Sequence, residues 1–162
     1  MNNQIIKSIP VRRRKSQKTL HEVEIIYNWP SIGAIRQINS AADSYKLLKE
    51  LYDPKKINYK EMFYVLLLNR ANCCIGISMI GVGGTAGVMV NIKEIFQLAI
   101  KTNASGIILS HNHPSGNKNP SEADKILTKK VKEACGFVEC TLLDHLILTS
   151  DGYLSFAEES LL

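Results

Sequence analysis

The chain has 162 residues, 45% hydrophobic and 22% charged. That is one globular domain long enough to bury a core, and it excludes a coiled coil, a collagen and a wholly disordered chain. The net charge of +5 is local: residues 1–20 hold Lys7, Arg12, Arg13, Arg14, Lys15 and Lys18 and no acid, which leaves 14 bases against 15 acids in the rest.

In chain order, residues 1–20 read as a flexible basic arm and 21–42 as an N-terminal extension, with a strand over Val23, Ile25 and Tyr27. No apolar h-region follows the basic residues, so no secretory leader is read here. Ser40 is placed to cap a helix carrying Ala41, Tyr45, Leu48 and Tyr52 on one face, with Asp53-Pro54 as its stop. Met62–Leu68 is an unbroken apolar run of strand length, and 75–80 returns across an Asn-Arg-Ala-Asn turn as a hairpin. Residues 71–92 carry no charge, yet five glycines and scattered polar residues make them strands and a turn rather than a membrane span. Gly81-x-Gly83-x-x-Ala86 imitates a dinucleotide fingerprint, but 88–90 reads as another strand where that motif needs a helix.

Ile92, Ile95, Phe96 and Ala99 have helical spacing, and 106–109 is a short strand. A second amphipathic helix is expected over 121–135, with Ala123, Ile126, Leu127, Val131 and Ala134 inward and Gly136 as its left-handed stop. Residues 142–148 form the last expected strand. The four cysteines, Cys73, Cys74, Cys135 and Cys140, lack disulfide-framework or CxxC spacing and read as reduced thiols of a cytoplasmic protein. The expected fold is one α/β (α+β) domain, a mixed sheet with flanking helices.

Chemistry concentrates in the segment 110–124. His111 and His113 follow an apolar strand, and in extended backbone residues i and i+2 share a face, so both imidazoles can reach one metal ion. Contiguous His-Asn-His is not the dispersed constellation of HNH nucleases. Ser121-x-x-Asp124 has the form of a capping box, which fixes a carboxylate at a helix start. Two histidines, one carboxylate and an open fourth position are the pattern of a catalytic zinc site.

His111-x-His113-Pro114-x6-Ser121-x-x-Asp124 resembles the JAMM motif of JAB/MPN-domain metalloproteases, and the string His-Asn-His-Pro-Ser-Gly resembles the RadC branch of that family. Leu142-Leu143-Asp144-His145-Leu146-Ile147, Glu61-x-Phe63 with Leu66-x-Leu68-Asn69, and Ser155-Phe156 are similar to further stretches of that branch, so the resemblance covers 43–162. It implies a JAB/MPN (cytidine-deaminase-like) fold, Zn2+ on His111, His113 and Asp124, Ser121 stabilising an oxyanion, and a glutamate as general base. Glu61, heading the apolar run, matches that glutamate; Glu94 is the rival, within a helix. The implied activity is hydrolysis of a peptide or isopeptide bond in a protein substrate. Asp144 and His145 stay open between satisfying local backbone and orienting a ligand. The alternative is a nucleic-acid-associated binding module of little or no catalytic power. Its basic residues 7–18 would meet DNA phosphates, in keeping with the DNA-repair association of the RadC name. A complete set of Glu61, His111, His113, Ser121 and Asp124 favours chemistry.

Overall fold

In the computed structural model, which describes residues 36–84 and 87–162, the chain runs β1 (Arg36–Gln37), α1 (Ala41–Lys49), β2 (Met62–Leu68), β3 (Cys73–Val82), α2 (Ile92–Lys101), β4 (Gly106–Asn112), α3 (Glu122–Cys135), β5 (Thr141–Thr149) and β6 (Gly152–Ser155). The basic arm, its expected DNA contact and the strand over 23–27 lie outside the described residues.

One mixed sheet has the order β1-β3-β2-β4-β5-β6. Every neighbouring pair is antiparallel except β4 and β5. A parallel pair needs a crossover, and the loop after His113 together with α3 supplies it. The β2 run is continuous in apolar residues because both of its faces are buried. Phe63, Val65 and Leu67 join Ile107 and Leu109 of β4 in a core under α2 and α3 that also takes Ile95, Ala99 and Val131. Met62, Leu66 and Leu68 face the other way, with Ile108, Leu146 and Leu148, against Leu47, Leu48 and Tyr52.

Ser40 caps α1 by accepting from the Asp43 N–H. The hairpin of β2 and β3 pairs Met62 with Val82 and Leu68 with Cys74. Within the uncharged stretch, Cys73–Val82 is a strand, and no helix among the described residues is long and apolar enough to cross a membrane. Cys74, Cys135 and Cys140 are buried free thiols and Cys73 is partly exposed.

Four expectations change. Residues 88–90 form no strand. They lie so close over β3 and the residue after it that a Cβ on Gly81 would stand 2.9 Å from Val88 Cγ2, and one on Gly83 2.7 Å from Val88 Cα. Val88 lies beside the Glu61 carboxylate, where its backbone opposes the rise in the Glu61 pKa. On α3 the buried residues are Thr128, Val131 and Cys135, while Ala123 and Ile126 are exposed. The inward stripe continues through Asp124, so its first turns are polar where they meet the site, and a search for apolar periodicity misplaces the face. Gly136 is right-handed and opens a 3-10 turn over Gly136–Val138; the left-handed residue is Glu139, at φ 53°. Finally, β6 pairs with β5 across the tight turn before Gly152, where Asp151-Gly152 is a hairpin signal that the sequence reading passed over.

Candidate metal centre

Strand β4 carries His111 at the end of the parallel pair, where the crossover begins. This is where open α/β sheets leave a crevice at the carboxyl ends of their strands. His113 follows one step beyond the strand, its N–H donating to the Leu148 carbonyl at 2.9 Å. At the start of α3, Ser121 and Asp124 form a complete capping box. The Ser121 N–H and hydroxyl both donate to Asp124 Oδ2, at 2.7 and 2.6 Å. That leaves Oδ1 turned to His111 Nε2, 3.2 Å away, with His113 Nε2 3.6 Å from Oδ2. The two Nε2 atoms are 3.0 Å apart. Ligand atoms of all three side chains fall within 4.8 Å of one another, a cluster able to hold a metal ion.

The donor chemistry fits a cation. His113 Nδ1 lies 2.6 Å from the Asn117 carbonyl, which can only accept, so Nδ1 carries a proton, and in the neutral ring Nε2 offers its lone pair. His111 Nδ1 lies 2.8 Å from His145 Nε2. Two nitrogens and a carboxylate aimed at one point repel unless a proton or a metal ion stands between them. Desolvation by itself would raise the Asp124 pKa. The neighbouring His111 and His113 imidazoles and the Ser121 hydroxyl outweigh it and hold the carboxyl far below the usual range. Hydrogen bonding to Asp124 in turn raises His113 above its ordinary value, against its partial burial.

Glu61 precedes β2. The β2–β4 register sets Phe63 against His111, and continuing it by two residues brings Glu61 across from His113. Backbone bonds extend the hairpin to hold it there, Gly83 N–H to the Glu61 carbonyl at 2.8 Å and Glu61 N–H to the Gly84 carbonyl at 3.4 Å. Burial raises the Glu61 pKa; the positive field of His111 and His113 opposes that, and Asp124 adds to it. Glu61 also acts on His113. Glu94 lies in the first turn of α2, its N–H on the Asn91 carbonyl.

Asn112, between the two histidines, points to the other face and organises the turn that delivers Glu61. Its side-chain carbonyl accepts from the Met62 N–H at 2.8 Å, and its amide donates to the Ile57 and Lys60 carbonyls at 2.6 and 2.8 Å. Sequence reading missed this because the partners are 50 to 55 residues away. Asn112→Ala strands the buried Met62 N–H and the part-buried Ile57 and Lys60 carbonyls, and we expect it to cost roughly 3 kcal/mol in urea unfolding. A loss under about 1 kcal/mol would mean that the turn holds itself.

Asp144 and His145 have separate jobs. Asp144 accepts from the Ser155 hydroxyl at 2.6 Å and from the His145 and Ala157 N–H groups at 2.7 and 3.0 Å, pinning β6 and the turn after it. His145 is fully buried, stacked on Phe156 at 4.8 Å between ring centroids, and reaches His111. A register shift between Ile107 and Ile108 decides which of the two faces the cluster: Ile107 pairs with Leu142 but Ile108 with Asp144, so Leu143 is the extra residue. Without that bulge the parity of β5 would reverse and Asp144 would lie on the histidine face.

A mixed sheet with helices on both faces, a His-x-His at a strand end and an aspartate capping the crossover helix define a JAB-type domain with a cluster that could hold a metal ion. The chain belongs to the RadC-like JAB domain family, whose model matches residues 38–161. It is 39% identical over 127 residues to a UPF0758 protein of Flavobacterium johnsoniae, a match covering 78% of this chain and 54% of that protein. A UPF0758 protein of Chlorobium chlorochromatii is 37% identical over 132 residues, 82% of this chain and 58% of its own. One from Photorhabdus laumondii is 48% identical over 99 residues, 61% of this chain and 43% of its own. The chain therefore spans a little over half the length of the first two relatives.

Proposed function

We propose that this domain is a zinc-dependent hydrolase that cleaves a peptide or isopeptide bond. The observation that carries the reading is the convergence of two imidazole nitrogens and a carboxylate on one point, with a half-buried glutamate across from them. His111, His113 and Asp124 would hold the ion. A bound zinc ion supplies a Lewis acid that polarises a carbonyl and lowers the pKa of water.

The chain's own residues do the rest. Glu61 accepts a proton on its carboxylate from the attacking water and returns it to the departing amine; burial, which raises its pKa, suits it to hold that proton in between. Asp124 is locked by the Ser121 N–H, so its orientation survives loss of the Ser121 hydroxyl bond. That hydroxyl can then turn from Asp124 to the oxyanion on the scissile carbonyl. Ser121→Ala is expected to lower the rate by about 10²–10³-fold, the scale of one oxyanion donor, and to lower stability by about 1 kcal/mol through the lost cap. Rate and unfolding midpoint are measured on the same preparation; an unchanged rate would reduce Ser121 to a capping residue.

The reading is tested by elemental analysis of the purified chain, expected at about one zinc per chain, and by mass-spectrometric scoring of a mixed peptide library after incubation. Zinc absent from His111, His113 and Asp124 in a zinc-soaked crystal, with the metal on Cys73 or Cys135, would overturn the site. A loaded site with no peptide or isopeptide cleaved would overturn the activity.

A further inference from the structure

The two histidines fix their outer nitrogens differently. His113 uses the backbone carbonyl of Asn117 directly. His111 lies beneath the sheet surface, and its Nδ1 meets a second histidine whose proton position is not given by its own chemistry, since either imidazole nitrogen can carry the hydrogen. The direction is set at the far end of the chain of contacts. His145 Nδ1 lies 2.7 Å from Thr128 Oγ1, and Thr128 Oγ1 lies 2.6 Å from the Asp124 backbone carbonyl. Two oxygens do not approach to that distance without a hydrogen between them, and a carbonyl has none to give, so the Thr128 hydroxyl donates to Asp124. Its lone pair must then accept from His145 Nδ1–H. His145 Nε2 accepts from His111 Nδ1–H, and the lone pair of His111 Nε2 is left facing His113 and Asp124.

We propose that Thr128 and His145 are positioning residues that lock His111 in its Nδ1–H tautomer, so that its Nε2 stands ready as a metal ligand. Its consequence for metal binding rests on the reading given above. Both residues are buried, Thr128 at 2% and His145 at 0% exposure, so water does not compete for the chain. The His145 ring lies between Phe63 and Phe156 and its two nitrogens meet His111 and Thr128, so a positive charge on it would be buried with no carboxylate on either nitrogen, and the ring stays neutral. The helix that presents the Asp124 carboxylate also presents, one turn on, the hydroxyl that sets the tautomer of His111. Docking of α3 therefore organises two ligands together. The opposite tautomer of His111 would put a hydrogen on Nε2, where a ligand needs a lone pair.

His145 packs between aromatic rings and is a poor target for truncation, so the test is made at Thr128. Thr128→Val keeps the shape and removes the hydroxyl; Thr128→Ser keeps the hydroxyl. Histidine ring tautomers are read by long-range proton–nitrogen correlation on the labelled, metal-free chain at about pH 8, where an ordinary imidazole is neutral. Zinc affinity is read by competition with a chelator. We expect Nδ1–H for both His111 and His145 in the wild type and in Thr128→Ser, and loss of that single tautomer in Thr128→Val. Zinc should bind Thr128→Val about 10–100-fold more weakly, the range for outer partners of a metal ligand, and Thr128→Ser within about threefold of wild type. Both variants should still melt cooperatively without metal. An Nε2–H tautomer for wild-type His111, or equal zinc affinity in wild type and Thr128→Val, overturns the proposal. A wild type that takes up no zinc would overturn the metal reading, while the ring-nitrogen signals still decide the role of Thr128 and His145.

Discussion

Glu61→Gln should keep zinc binding and lose peptide hydrolysis by about 10²–10⁴-fold, the usual contribution of a positioned general base. The amide preserves the shape of the carboxylate and the backbone bonds to Gly83 and Gly84 that hold it, so the loss cannot be assigned to a displaced strand. The expected signature is a fall in kcat at unchanged zinc content. Glu94→Gln, on the first turn of α2, should leave the rate within about twofold, as surface changes usually do. If Glu94→Gln were the inactive variant and Glu61→Gln the active one, the general base would be misassigned.

Asp124→Asn should weaken zinc binding by more than about 100-fold, beyond what outer partners of a ligand contribute. It removes the charge that offsets the ion while keeping a side chain at the third position of the cap. It should also change how the metal-free chain responds to pH. In the wild type the folded Asp124 pKa is depressed, so its stabilising contribution is present above the unfolded value of about 3.9 and is lost as pH falls through the lower folded value. The folded His113 pKa is raised, so its contribution is full below about 6.5 and is lost as pH rises through the folded value. Metal-free stability should therefore decline above about pH 6.5 while zinc affinity climbs, because the ion takes the place of the departing proton. Asp124→Asn should flatten that decline. The measurement is urea unfolding of chelator-treated protein between pH 5 and 9; an identical pH slope for both chains would show that His113 and Asp124 do not interact as placed.

The sequence by itself determined the parts whose geometry is local. His111 and His113 share a face because a strand repeats every two residues, and Ser121 with Asp124 caps α3 because that box closes within one turn. The Met62–Leu68 run declared a doubly buried strand, and with the hairpin after it the mixed sheet was legible. Tertiary structure decided what depends on sheet order and register. Thr128, His145 and His111 are 17 and 34 residues apart along their chain of bonds, and Asn112 reaches back 55 and 52 residues to the turn before β2. One extra residue at Leu143 turned His145, rather than its acidic neighbour, toward the cluster. The inward face of α3 was misread for the same reason. Its polar end is buried only because Asp124 and Thr128 find partners on β4 and β5, and hydrogen bonding across a sheet leaves no periodic trace in the helix that joins it.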